Sequence, residues 1–157
     1  MAKRDADVVA AERALERLFR LSMSRKEHTR QAAAVGAVVS RAGYAVLRSL
    51  DEAGELTMTE IARECAMDPA TAARQVKALE DDGLVERRSA DRDARLSVVR
   101  LSVAGKAVHR RIVAVRTAYM QEVLREWPDD DRRALGRLVE RLVDDLSAVP
   151  FRAPTKG

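Results

Sequence analysis

Apolar residues recur every three or four positions over most of the chain, the spacing that gives an α-helix one apolar face. Val8, Ala11, Leu15, Leu18 and Ser22 form the first such stripe, with arginines and glutamates between them, and predict one amphipathic helix from Ala6 to about Ser24. The Ala-rich segment from Gln31 to Gly36 reads as a break. A second helix then runs to about Ala53, with Tyr44, Leu47 and Leu50 on one stripe. It ends at Gly54, because a glycine just past a helix end takes the left-handed conformation without a Cβ penalty. Thr57 to Cys65 reads as a short helix, capped by Thr57 or Thr59, with Ile61 and Ala62 facing inward. Asp68 is a good N-cap and Pro69 suits the first helical position, so another helix runs from Ala70 to Asp82 and stops at Gly83. Two short helices joined by a tight turn are the elements of a helix-turn-helix.

After Gly83 the period shortens. Leu84 to Arg88 and Leu96 to Leu101 are β-rich runs separated by the polar stretch Ser89 to Arg95, which predicts a β-hairpin with a long charged tip. Ser102 then looks like the N-cap of a long helix with Val108, Ile112, Val115, Tyr119 and Val123 as its apolar stripe. Pro128 opens a last helix with Leu135, Leu138, Leu142 and Leu146 on one side, and Phe151 to Gly157 is a tail. The fold class is therefore mainly α with a small β-hairpin wing, a winged helix-turn-helix. The expected divisions are 1–40 (an N-terminal helix region), 41–105 (the winged helix-turn-helix), 106–150 (C-terminal helices) and 151–157 (the tail).

Composition narrows the class. The 157 residues are 46% hydrophobic and 34% charged, with 29 Lys+Arg against 25 Asp+Glu, which suits a soluble globular chain with mixed surface charge. A single cysteine excludes an intramolecular disulfide framework and a Cys-rich zinc site. No apolar run approaches the roughly 18 residues of a membrane span, and the amino terminus carries acids and lacks an apolar core, so a cytoplasmic protein without membrane contact is expected. Aromatic residues are only 3%, which argues against stacking platforms for RNA or single strands. Gly-rich phosphate loops, nucleophile elbows and zinc-protease motifs are missing, so no enzyme is read here and no cofactor. His28 and His109 stand far apart with no partner ligand at helical spacing, so no metal site is expected.

The arginines make the middle of the chain a candidate DNA reader. On a helical wheel Ala72, Val76 and Leu79 fall together, while Ala70, Thr71, Arg74 and Lys77 fall opposite, with no acid before Glu80. Small side chains permit close approach to the major groove, a hydroxyl reaches phosphate or base edges, and arginine makes two-pronged contact with guanine. The hairpin adds Arg87, Arg88, Arg92, Arg95 and Arg100 within one short stretch. Arginine at a wing tip suits the narrow minor groove, where the potential is most negative. Asp91 and Asp93 are placed to hold neighbouring guanidinium groups.

The order of elements and the motifs resemble the MarR-type (multiple antibiotic resistance regulator) family of bacterial winged-helix regulators. The likeness covers Tyr44 to Val108, a little under half the chain. It is sharpest in the wing, where D-x-R reads Asp93-Ala94-Arg95, followed by LSVVR and then Leu101-Ser102-Val103-Ala104-Gly105. Ser102 stands where the family more often has Thr. The run Leu79 to Val85 also looks like the family's exit from the recognition helix. The resemblance implies a homodimer, dimerised through its first and last helices, that binds a pseudopalindromic double-stranded DNA operator and more often represses than activates. It implies Arg95 as the minor-groove residue with Asp93 as its partner. Thr71 and Arg74 are the candidates for base or backbone contact, and Lys77, Arg87 and Arg88 for phosphate contact.

Similar proteins often release DNA when a small aromatic or phenolic acid binds between the dimer helices and the winged domain. Met23, His28 and Tyr44 are the residues that could line such a crevice here. Two other classes remain open: a winged-helix protein–protein module without specific DNA binding, and a redox-responsive regulator acting through Cys65.

Overall fold

A computed structural model describes the backbone of residues 2–22, 39–90 and 93–150, and all side chains of these except those of 2–4, 22, 90 and 93–96. Helix α1 spans Ala2–Ser22, α2 Arg41–Ala53, α3 Met58–Glu64, α4 Pro69–Asp81, α5 Val103–Val123 and α6 Asp129–Ala148. Three strands, β1 (Glu55–Thr57), β2 (Val85–Ala90) and β3 (Asp93–Leu101), form one antiparallel sheet in the order β1-β3-β2. The chain divides into two compact units, one ending at Arg116 and the other beginning at Thr117.

The helix boundaries follow from local chemistry. Ser40 caps α2, its Oγ accepting from Gly43 N at 2.8 Å. Thr57 and Glu60 form a reciprocal capping box on α3: Thr57 Oγ1 accepts from Glu60 N at 3.3 Å, and Glu60 Oε2 accepts from Thr57 N at 2.8 Å. Ser102 caps α5 by accepting from Gly105 N at 2.9 Å and donates its own proton to Gly83 O at 2.7 Å, which ties the end of the sheet to the exit from α4.

The core lies in the first unit. Val46, Leu47 and Leu50 of α2 meet Ile61 of α3, Ala72, Val76 and Leu79 of α4, Val99 of β3 and Val108 of α5, all buried. The inward faces expected for α3 and α4 are the ones buried.

The sheet departs from the sequence reading in two ways. A third strand, β1, lies between α2 and α3, with Leu56 opposite Val99. Three residues are too few to show a period, and the strand exists because a distant strand supplies its hydrogen bonds. The hairpin strands also run further toward the tip than expected, Ser89 pairing with Ser97 and Ala90 with Asp93, with an irregularity between Ser89 and Ala90. Ladder bonds thus extend the strands through residues whose polarity reads as turn.

The stripe on α5 is divided. Val108 is buried and Ile112 and Val115 pack on the core, while Tyr119, Met120 and Val123 are exposed. Leu18, Phe19 and Leu21 of α1, and Leu138, Val143 and Leu146 of α6, are also exposed large apolar side chains.

Candidate nucleic-acid interface

Helix α4 begins at a fully formed cap. Asp68 Oδ1 accepts from Thr71 N at 2.9 Å, and Pro69 occupies the first turn, where its missing N–H costs nothing. The other carboxylate oxygen accepts from Thr71 Oγ1 at 2.6 Å, and Thr71 Oγ1 accepts in turn from Arg74 Nη2 at 2.7 Å. The two bonds from Thr71, side chain first, hold the Asp68 carboxyl below the usual carboxylate range. Ala70, Ala73, Arg74, Lys77 and Ala78 are exposed, and Thr71 is half-buried. Lys77 Nζ lies 2.5 Å from Asp81 Oδ1, and that hydrogen-bonded carboxylate raises the ammonium above its ordinary value. Gln75 accepts from Ser40 Oγ at 2.7 Å, joining α4 to the start of α2.

The wing root is fixed to this helix and to the sheet by ion pairs. Arg87 Nε donates to Glu80 Oε1 of α4 at 2.8 Å. Arg88 reaches across β3 to Glu55 Oε2 of β1 at 3.2 Å. Arg100 Nη2 lies 2.6 Å from Glu86 Oε1. Side chains alternate along a strand, so Arg87 and Arg88 point to opposite faces. Thr71, Arg74 and Lys77 share the exposed face of α4, and Arg87 is attached to that helix through Glu80. Arg92 and the side chains of Asp93 and Arg95 lie outside the described residues, as do Met23 and His28.

Tyr44 has surroundings that local periodicity does not disclose. It is half-buried and stacks on His109 of α5, with ring centroids 5.8 Å apart and an interplanar angle of 29°. The Arg116 guanidinium carbon stands 4.8 Å from the Tyr44 ring centroid. His109 is buried, its Nδ1 3.4 Å from Asp51 Oδ2, and its buried Nε2 has no hydrogen-bond partner among the described residues. His109 and Arg116 are the residues sequence reasoning missed. The available signal was their spacing, since 109 and 116 share one face of α5 with Ile112. Cys65 closes α3, half-buried, with Sγ 3.4 Å from Ser49 Oγ.

Two short helices, a turn and a two-stranded extension of a small sheet define a winged helix-turn-helix. The sequence profile of the MarR family matches residues 39–97. The HTH-type transcriptional regulator YxaD of Bacillus subtilis is 31% identical over 104 residues, 66% of this chain and 73% of YxaD. Among solved structures, a MarR family protein from Bacillus stearothermophilus superposes with a TM-score of 0.76 at 19% identity, covering 90% of this chain and 97% of that one. Streptococcus pneumoniae FabT, solved in complex with DNA, superposes with a TM-score of 0.76 at 16% identity, covering 91% and 99%. The chain belongs to the MarR family and is a transcriptional regulator with a DNA-binding winged helix, not an enzyme. No described helix is long and apolar enough to cross a membrane.

Proposed function

We propose that the protein is a cytoplasmic repressor that binds a pseudopalindromic operator as a homodimer and releases it on binding a small aromatic acid. The observation that carries this reading is the exposed face of α4, where Ala70, Thr71, Arg74 and Lys77 stand clear of the core and the only side-chain carboxylate at its start is committed to the cap. Such a face meets the three demands of a major-groove helix: close approach, hydroxyl contact and an arginine fork. Thr71 and Arg74 contact the bases or backbone, and Lys77, Arg87 and Arg88 the phosphates. Arg92 and Arg95, with Asp93, serve the wing tip in the minor groove. FabT, a protein of the same fold, has been solved in complex with DNA, which supports this assignment.

Residues 1–40 and 106–150 form the dimerisation region and 41–105 the reading head. Support comes from the exposed apolar residues of α1, α5 and α6, which a single chain leaves in water. Two reading heads then meet successive major grooves, roughly 34–36 Å apart. The effector reading is supported by Tyr44, Arg116 and His109, which offer an aromatic face, a cation for a carboxylate and a buried ring nitrogen.

Fluorescence anisotropy with duplex from the gene's own upstream region tests the reading. The expected result is saturable binding that weakens steeply with salt and is about 10³-fold weaker for scrambled duplex. Equal affinity for both duplexes would leave only a non-specific cationic surface or a protein–protein module.

A further inference from the structure

We propose that Asp68 and Thr71 are positioning residues for base reading: through two consecutive hydrogen bonds they fix the guanidinium of Arg74 and so set a guanine preference at one base pair in each half-site. The inference rests on the DNA-reading function above and extends it to how sequence is chosen.

An arginine free on an exposed helix face samples many rotamers, whereas two-pronged contact with guanine O6 and N7 needs the fork in one plane. Here the fork is anchored. Arg74 Nη2 donates to Thr71 Oγ1 at 2.7 Å, one turn nearer the helix start, and Thr71 Oγ1 stands 2.6 Å from Asp68 Oδ2. The polarity of this relay follows from proton counting. A hydroxyl carries one proton, and an ionised carboxylate only accepts. The carboxyl of Asp68 is held below its ordinary range by Thr71, so it is ionised at neutral pH. The Thr71 proton therefore points to Asp68, and the oxygen lone pairs face Arg74. Asp68 cannot swing away, because its second oxygen accepts from Thr71 N at 2.9 Å. Nη2 keeps another N–H, so a two-pronged edge of the guanidinium stays open for a base.

The rest of the exposed face concentrates the choice on this residue. Ala70, Ala73 and Ala78 carry no polar side-chain atom, Lys77 is paired with Asp81, and α4 contains a single arginine. A point charge such as Lys77 serves phosphate without reading base identity.

Asp68→Asn separates this relay from the cap. Asparagine caps a helix as well as aspartate does. With its oxygen committed to Thr71 N, its amide presents N–H to Thr71 Oγ1, so the hydroxyl loses the acceptor that held its proton away from Arg74 and the relay is no longer oriented. The substitution also removes a negative charge from the face, which by itself raises affinity for any duplex. The experiment selects the preferred duplex from a random pool. It then measures Kd for every single base-pair change, using the wild type, D68N, T71V, T71S and R74A, with melting temperatures in parallel. Arg74→Ala is expected to erase the preference at one base pair per half-site. D68N and T71V are expected to lower that preference about tenfold, the scale of one two-pronged contact, and T71S to retain it. D68N should do so while binding non-operator duplex at least as tightly as the wild type, a combination that neither unfolding nor general electrostatics produces. The proposal is overturned if R74A loses the preference while D68N and T71V keep it, or if R74A keeps it. A wild type with no preference at any position would overturn the DNA-reading function itself.

Discussion

Gly105 of α5 lies against the carbonyl of Leu84, the residue that leaves α4 for the wing: a Cβ placed at Gly105 would stand 1.9 Å from Leu84 O. The same carbonyl accepts from Ser102 N at 3.0 Å, so α5 is fastened to the reading head at the point where its first turn has no side chain. The neighbour is backbone, which cannot rotate aside. Gly105→Ala is therefore expected to cost about 3 kcal/mol, the upper end of overpacking penalties, or to prevent folding. Denaturant unfolding at fixed protein concentration measures it. A loss under about 0.5 kcal/mol, the scale of an ordinary surface change, would show that α5 does not pack as described.

Two carboxylates make stability fall in acid. Glu60 is held below its ordinary range, first by the backbone N–H of Thr57 and then by its hydroxyl, and Asp68 by Thr71. Both interactions belong to the folded helix starts and to the ionised form. The folded state thus binds fewer protons than the unfolded one near the carboxylate range, so stability rises with pH there. Their contribution is complete above the ordinary carboxylate value and is lost as pH falls through the lowered one. Glu60→Gln is expected to melt below the wild type at neutral pH, with the gap closing on acidification. A gap unchanged down to about pH 3 would contradict the assignment.

The cations proposed for phosphate differ from Arg74 in what their loss should do. Lys77→Ala, Arg87→Ala and Arg88→Ala are each expected to reduce the slope of log affinity against log salt by about one unit while leaving base preference unchanged. Arg87 and Arg88 must exchange Glu80 and Glu55 for phosphate, so Glu80→Gln should strengthen binding to every duplex alike. Titrations at several salt concentrations decide this, and slopes identical to the wild type would remove these residues from the interface.

The reading head was largely legible before its structure. Asp68-Pro69 marks the start of α4, the 72/76/79 stripe marks its buried side, and Ser102 marks the start of α5, because each is set within a few residues of chain. What escaped depends on partners far away. Strand β1 exists through pairing 41 to 45 residues away, Leu56 with Val99 among them. The hairpin's extra rungs come from the ladder and not from residue type. Nothing local in the sequence pairs Glu55 with Arg88 or Glu80 with Arg87; β2 brings them together in the fold. Tyr44 was visible as a candidate, but its companions His109 and Arg116 lie on a helix that meets α2 only in the fold. The expectations for Met23, His28 and Arg92, and for the side chains of Asp93 and Arg95, concern positions outside the described residues.

The central claim is that paired α4 helices and wings read a duplex at its own pitch. Hydroxyl-radical footprinting on the selected duplex tests it most directly. The account predicts two equivalent protected patches about one helical turn, 10–10.5 base pairs, apart, related by the operator's two-fold axis. Outlying protections where the wings meet the minor groove should disappear in Arg95→Ala. A single patch, or uniform protection along the whole duplex, would contradict it.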